Sequence, residues 1–121
     1  MRDHKSLEAW REAHRVVIGV LNFCATNWRP HARAVFDQLQ RAALSVQLNI
    51  AEGYAFRSRS RFRAHLDIAY GSAVETGELL ELMQLRELVP PEAIKPILSS
   101  CLRSQLLLLG LIKRYRASQI V

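Results

Sequence analysis

The stretch that decides the fold is QLQRAALSVQLNIAEGYAFRSRSRFR, residues 38–63. Leu39, Val46 and Ile50 recur at helical spacing, and the alanines between them suit close packing against another helix. We expect this helix to end at Gly53, because glycine adopts the left-handed conformation of a helix C-cap without steric cost. Four arginines follow in alternate positions. The stretch therefore predicts a helix, a turn and the basic start of a second helix.

Helical periodicity extends to both sides of this stretch, and no segment of the sequence alternates like a β-strand. The pattern predicts four helices: from an N-cap at Ser6 to about Thr26, from about His31 to Tyr54, from an N-cap at Ser58 or Ser60 to about Leu88, and from near Glu92 or Lys95 to about Arg116. Helices of this length joined by short turns predict an all-α fold, an antiparallel up-down-up-down four-helix bundle. We expect residues 1–121 to form a single domain.

Charged and small residues indicate how these helices pack. Helix 1 carries a charge-paired face that includes Glu8, Glu12 and Arg15, which we expect to be solvated. Gly71 and Gly77 lie inside helix 3, where each glycine costs about 1 kcal/mol relative to alanine. A close approach of helix 2 to these glycines would offset that cost.

Composition indicates a soluble protein with an anionic partner. Half of the residues are hydrophobic, the formal net charge is +6 and the pI is about 10.0, which favours nucleic acid first and a membrane surface second. The first ten residues lack the apolar core of a signal peptide, and the longest apolar run, Leu106 to Ile112, is too short to span a bilayer. We therefore expect a cytoplasmic protein without membrane contact. Cys24 and Cys101 lie in apolar helical patterns, which predicts buried free thiols.

The segment Leu106 to Ile112 also indicates association. It is apolar nearly all round the helix, whereas a bundle buries one stripe of each helix. A second subunit is the simplest cover for the remaining leucines. The alternative is a monomer whose surface tolerates some exposed leucine.

Helices 2 and 3 carry polar residues at spacings that place them on one face. These residues, the polar network, are Gln38, Ser45, Asn49, Glu52, Ser72 and Glu75. We interpret them as structural, fixing helix register or subunit pairing. The alternative makes Glu52 or Glu75 a general acid or base, but the sequence places no nucleophile or partner histidine beside them.

Metal and cofactor chemistry finds little support in the sequence. A di-iron bundle needs Glu-x-x-His motifs, and none of the four histidines follows a glutamate by three residues. Zinc-binding patterns and a glycine-rich phosphate loop are also missing from the sequence. We predict no catalytic residue, no metal site and no cofactor.

The predicted topology collects basic residues at one end of the bundle, where helix 1 starts, helices 2 and 3 are joined and helix 4 ends. This basic pole comprises Arg57, Arg59, Arg61, Arg63, Lys113, Arg114 and Arg116, with Arg2 and Lys5 nearby. Tyr54, Phe56 and Tyr115 lie close to it and either stack on bases or pack in the bundle. Most acidic residues of helices 3 and 4 lie toward the other half. A helix-turn-helix over residues 49–66 fits poorly, because the flanking helices are too long for that motif.

The sequence resembles a known family over nearly its whole length. The matching residues are Gln38-Leu39, Arg41-Ala42-Ala43, Ser45-Val46 and Asn49-Ile50-Ala51-Glu52-Gly53, followed by Phe62, Leu66, Ala69, Gly71-Ser72 and Glu75, with Leu7, Trp10 and Ala13 at the start. They look like the signature of the four-helix-bundle proteins encoded in 23S rRNA intervening sequences. His31 and Arg33 depart from it, because acidic residues are expected there.

The resemblance implies a homopentameric ring of four-helix subunits without enzymatic activity. A related branch comprises accessory proteins of diversity-generating retroelements, which bind a reverse transcriptase and nucleic acid through basic surfaces. The first hypothesis is therefore a non-enzymatic, oligomeric nucleic-acid-binding or ribonucleoprotein accessory protein that binds RNA or DNA. The second is a scaffold for a protein partner such as a reverse transcriptase, and the third is an enzyme or metalloprotein.

Overall fold

A computed structural model describes residues 3–117 and contains four long helices. They are α1 (Glu8–Asn27), α2 (Arg33–Ala55), α3 (Arg59–Leu85) and α4 (Pro91–Ala117). Two short 3-10 helices, His4–Ser6 and Pro30–Ala32, precede α1 and α2. No β-strand occurs within the described residues. The predicted all-α fold with four helices is confirmed.

The helices form a bundle in which each helix packs against two neighbours. Among residues 3–117, α1 and α3 each pack on α2 and α4 but not on each other. One core cluster, which includes Phe36 and Ile94, joins the ends of α1 and α3 to the starts of α2 and α4. The other, which includes Ile50 and Leu108, joins the starts of α1 and α3 to the ends of α2 and α4. This distribution agrees with helices that alternate in direction.

The N-terminal cap of the first helix differs from the prediction. Asp3 caps the short helix before α1 by accepting a hydrogen bond from the Lys5 backbone N–H at 3.0 Å. The Ser6 hydroxyl donates back to the Asp3 carbonyl at 2.8 Å, and Leu7 precedes α1 without a side-chain cap. The prediction of Ser6 as N-cap of the long helix is wrong, because the aspartate three residues earlier starts a separate turn.

Gly53 lies inside α2 and does not end it. A Cβ atom at this position would lie 2.5 Å from the Cβ of His65 in α3, so the glycine permits close approach of the two helices. The helix continues to Ala55, and the left-handed backbone conformation falls on Arg57, whose φ is 52°. The predicted C-cap role of Gly53 is therefore wrong, and helix packing explains the glycine instead.

The glycines inside α3 do not face α2. A Cβ atom on Gly77 would lie 3.1 Å from Nε2 of Gln105 in α4, and one on Gly71 would meet open space. The expectation that helix 2 approaches both glycines is wrong. Gly77 instead lies at the contact between α3 and α4.

The last helix begins at Pro91, close to the predicted start near Glu92. Pro91 opens α4, where its missing N–H costs nothing, and Pro96 lies inside the helix. Ile94 and Ile97 are both buried on the core side. Their burial favours continuing the helix through Pro96, so the start near Glu92 is close and the start near Lys95 is wrong.

Glu12 is buried rather than solvated, against the prediction for the charged face of helix 1. Its Oε1 lies 2.5 Å from Nη1 of Arg15 and 3.4 Å from Nε of Arg103 in α4. Oε2 has no hydrogen-bond partner among the described residues. Arg15 of the same helix and Arg103 of the neighbouring helix together offset the burial of this carboxylate.

The leucine-rich part of α4 is less exposed than its composition indicates. Leu108 and Ile112 are buried, and Leu106 keeps 71% of its surface exposed. By length and composition alone, residues 91–116 would suffice to cross a membrane, although the uninterrupted apolar run is short. In the fold, α4 contributes to both core clusters. The absence of membrane contact stays a prediction.

Candidate nucleic-acid interface

The residues of the predicted basic pole lie in the same half of the bundle. The second core cluster brings the start of α3 and the end of α4 together, and the Cζ atom of Arg59 lies 4.5 Å from the centre of the Tyr115 ring. Arg63 is half-buried, whereas the others in the described range are exposed: Lys5, Arg57, Arg59, Arg61, Lys113, Arg114 and Arg116. Arg2 lies outside the described residues.

The alternating arginines occupy two sides of the α2–α3 turn. Each residue of an α-helix is rotated by roughly 100° from the one before it, so residues two apart lie on nearly opposite sides of the helix. Arg59 accordingly stacks on Tyr115 of α4, while Arg61 lies on the other side with its Cζ 4.8 Å from the ring centre of Phe56. The basic pole thus extends across the turn from α4 to α2.

The start of α3 concentrates positive potential at this pole. Ser58 caps the helix, and its hydroxyl accepts a hydrogen bond from the Arg61 backbone N–H at 3.4 Å. The first turn contains no acidic residue, although a helix N-terminus favours negative charge. An anion bound here would be attracted by both the helix dipole and the arginine side chains.

An aromatic pocket of about 230 Å³ opens between the α2–α3 turn and the end of α4. Its lining residues are Gly53, Tyr54, Arg57, Ser58, Arg59, Phe62 and Tyr115. The buried Phe62 ring makes edge contacts with both tyrosines, with ring centres 5.6 Å from Tyr54 and 5.0 Å from Tyr115. The sequence placed the two tyrosines near the pole but did not indicate a pocket.

Four polar side chains form a continuous chain of hydrogen bonds between α2 and α3. Ser45 Oγ lies 2.8 Å from Ser72 Oγ, and Asn49 Nδ2 donates to the Ser45 carbonyl at 2.8 Å. Asn49 Oδ1 lies 2.9 Å from His65 Nδ1 and accepts the histidine N–H. All four side chains are half-buried. This arrangement can hold the two helices in register, as predicted for the polar network.

The remaining members of the polar network, Gln38, Glu75 and Glu52, do not belong to this chain of hydrogen bonds. Gln38 Nε2 donates to Glu75 Oε2 across the same pair of helices. Glu52 is exposed and makes no hydrogen bond to the other members. His65 and Thr76 were not predicted as members of the network, although both share the face of Ser72 at helical spacing. Thr76 is buried and donates to the Ser72 carbonyl at 2.7 Å.

The opposite end of the bundle carries both signs of charge. Glu87 and Glu92 lie there, in the half where acidic residues were predicted. Exposed arginines and a lysine share this end: Arg29, Arg33, Arg86 and Lys95. The charge contrast between the two ends is therefore smaller than the sequence indicates.

The two cysteines are buried free thiols, as predicted. Burial raises the pKa of Cys24 to about 11, and burial also raises that of Cys101 to about 11. Within residues 3–117, no group of three histidine, cysteine, aspartate or glutamate side chains is arranged to hold a metal ion.

Comparison with known proteins assigns the chain to a family. The profile of the 23S rRNA-intervening sequence proteins matches residues 5–110. A crystal structure of a protein of unknown function from the S23 ribosomal protein family of Bacteroides thetaiotaomicron has the same fold. It is 24% identical, the TM-score is 0.78, and the alignment covers 87% of this chain and 95% of that one. The comparison with curated proteins found no match. Since the profile spans most of the sequence, the chain belongs to the family of 23S rRNA-intervening sequence proteins.

Proposed function

We propose that this protein is a non-enzymatic, oligomeric nucleic-acid-binding or ribonucleoprotein accessory protein that acts through its basic pole in the cytoplasm. The observation that carries the proposal is the cluster of exposed basic side chains around the α2–α3 turn and the end of α4. Arginine suits phosphate, because its planar guanidinium donates two hydrogen bonds at once. The family name and the fold of the crystallised relative are compatible with this role.

The mode of binding follows from the kind of residues present. Arginines and lysines on an exposed turn are expected to contact mostly phosphates. Binding should therefore be weakly sequence-specific and strongly salt-dependent, because each neutralised phosphate releases counterions. RNA and DNA both meet this requirement.

Assembly into a ring would repeat the basic pole around a symmetry axis. Leu102 and Leu106 support association, because they lie one helical turn apart on α4 with 48% and 71% of their surfaces exposed. The resemblance to the family suggests five subunits. Several copies of one basic surface would bind a long nucleic acid more tightly than one copy through multivalency.

A protein-interaction scaffold is the second candidate, with a protein such as a reverse transcriptase as partner. It is favoured by exposed apolar residues away from the basic pole, such as Leu85, which has 81% of its surface exposed. In this case the positive charge would serve solubility alone.

A salt titration separates the two candidates. Single-stranded and structured RNA are titrated with the purified protein at low and moderate salt. We expect binding to weaken by roughly 0.7–0.9 log units per log unit of salt for each phosphate contacted. Replacing Arg57, Arg59 and Arg61 with glutamine should weaken binding and flatten this slope.

The matched control removes the same charge from the opposite end, through Arg29→Gln, Arg33→Gln and Arg86→Gln. These three arginines are also exposed. The control should keep the wild-type slope more closely than the basic-pole variant. No binding at low salt, or equal losses in both variants, would favour the scaffold.

A further inference from the structure

We propose that the aromatic pocket receives an unpaired nucleobase of the strand whose phosphates the basic pole binds. The inference rests on the proposed function and goes beyond it, because it assigns a base-binding site to a surface that otherwise contacts only the backbone. Its basis is the presence of stacking surfaces and arginines in a single cavity.

The pocket has the size and lining that a single base requires. Its volume of about 230 Å³ falls below the roughly 300 Å³ at which pockets for drug-sized ligands begin, so it suits one planar ring. Phe62 meets Tyr115 at an interplanar angle of 86°, which braces the tyrosine ring from the core side. A ring held in this way presents a stacking surface without losing further rotamer freedom when a base arrives.

Arg59 completes the stacking surface. Its guanidinium lies 4.5 Å from the centre of the Tyr115 ring, so an aromatic plane and a cationic plane are already paired at the pocket. Bases of single strands stack on both kinds of plane. A base can therefore replace the guanidinium on the tyrosine ring while the arginine turns to a phosphate.

Arg57 places a second cation at the pocket. It follows the end of α2 with a φ of 52°, a conformation at which glycine is strongly preferred. Arg57 lines the same pocket, where its guanidinium can bind the phosphate attached to the stacked base.

The first experiment compares two strands that have the same charge. A thymidine decamer and a decamer of the same backbone with abasic sites throughout are titrated with the full-length protein at one salt concentration. Because stacking of one base contributes enough for roughly a tenfold change in affinity, the thymidine strand should bind at least about tenfold more tightly.

Variants of Tyr115 then locate the effect. Tyr115→Leu keeps an apolar side chain in the bundle but removes the ring, and it should abolish the preference for the thymidine strand. Tyr115→Phe keeps the ring and should bind the thymidine strand more tightly than Tyr115→Leu. Melting temperatures measured in parallel show whether each variant is folded.

Arg57→Gly separates function from stability. It removes the side chain but adopts the left-handed backbone readily, so it should weaken binding of the thymidine decamer while the melting temperature shows that the protein is folded. Glu87→Gly is the matched control at the opposite end, because Glu87 has a φ of 53° and does not line this pocket. It should raise the melting temperature without weakening binding.

The failures of the two proposals are distinguishable. If neither decamer binds at low salt, the proposed nucleic-acid function itself fails. If both decamers bind equally, or if Tyr115→Leu keeps the preference for bases, the basic pole binds phosphates and the base-binding pocket is refuted.

Discussion

At the scale of single residues, neighbours in space explain Gly53 but not Gly71. Gly53 sits where α2 meets the His65 side chain of α3, whereas Gly71 has no atom within 4 Å of the position a Cβ would take. The sequence predicted a C-cap role for Gly53 and a contact with helix 2 for Gly71. Only the placement of the neighbouring helix distinguishes the two positions, and the sequence does not contain that information.

Alanine substitutions test this difference directly. Gly53→Ala should lower the free energy of unfolding by about 1–3 kcal/mol, because the added methyl group overpacks the contact with α3. Gly71→Ala, the matched control in an open part of α3, should raise it by about 0.4–1 kcal/mol. Denaturant unfolding of both variants measures the effect. Equal changes of the same sign would show that Gly53 has no packing role.

The left-handed residue at the end of α3 allows a second prediction at this scale. Glu87 has a φ of 53°, and its backbone N–H donates to the Gln84 carbonyl at 3.1 Å. Glu87→Gly should raise the free energy of unfolding by roughly 0.5–1 kcal/mol, because glycine adopts this conformation without a clash at Cβ. A calorimetric scan should show a melting temperature a few degrees higher. A lower melting temperature would mean that the glutamate side chain stabilises the turn.

At the scale of the elements, helical periodicity located all four helices, whereas the predicted helix ends were less accurate. Ser58, one of the two predicted N-caps, caps α3, because its side chain satisfies a local backbone N–H. Ser6 does not cap α1, because Asp3 starts a separate short helix before it. In both cases a second polar residue lies within three positions, Ser60 near Ser58 and Asp3 before Ser6, so the sequence alone did not decide which residue caps the helix.

The candidate site could be predicted in part. The number of helices and the length of the turns determine the topology, and the topology determines which basic residues meet at one pole. The burial of Glu12 could not be predicted in this way, since one of its two arginine partners, Arg103, lies on another helix. The aromatic pocket likewise depends on the side-chain orientations of Phe62 and Tyr115. Contacts of this kind join residues far apart in the chain.

The polar network between α2 and α3 supports a prediction about how much this contact contributes to stability. Asn49 receives the His65 N–H and donates to Ser45, so Asn49→Ala leaves half-buried partners unsatisfied. We expect a loss of about 1–3 kcal/mol in the free energy of unfolding. Gln38→Ala removes a contact to the exposed Glu75 and should cost less. A fully stable Asn49→Ala variant that has lost nucleic-acid binding would instead assign Asn49 to the function.

At the scale of the whole molecule, a single subunit leaves large apolar side chains in water on several helices. Leu102 and Leu106 lie on the outer side of α4, while Leu108 and Ile112 of the same helix are buried. The bundle therefore uses one face of α4 for its core and leaves another face available. A partner subunit would remove this face from water, which is the main favourable term in most protein association.

The last prediction assigns the subunit contact to this exposed face of α4. Leu106→Gln should shift the oligomer toward smaller species at micromolar concentration, because a polar side chain loses the free energy gained by burying leucine, about 1.5–3 kcal/mol per subunit. Leu85→Gln is the matched control, since Leu85 is even more exposed but lies at the end of α3. Light scattering over a dilution series measures both variants against the wild type. A monomeric wild type would refute association, a stable dimer would refute only the pentamer, and dissociation by Leu85→Gln alone would move the interface to the end of α3.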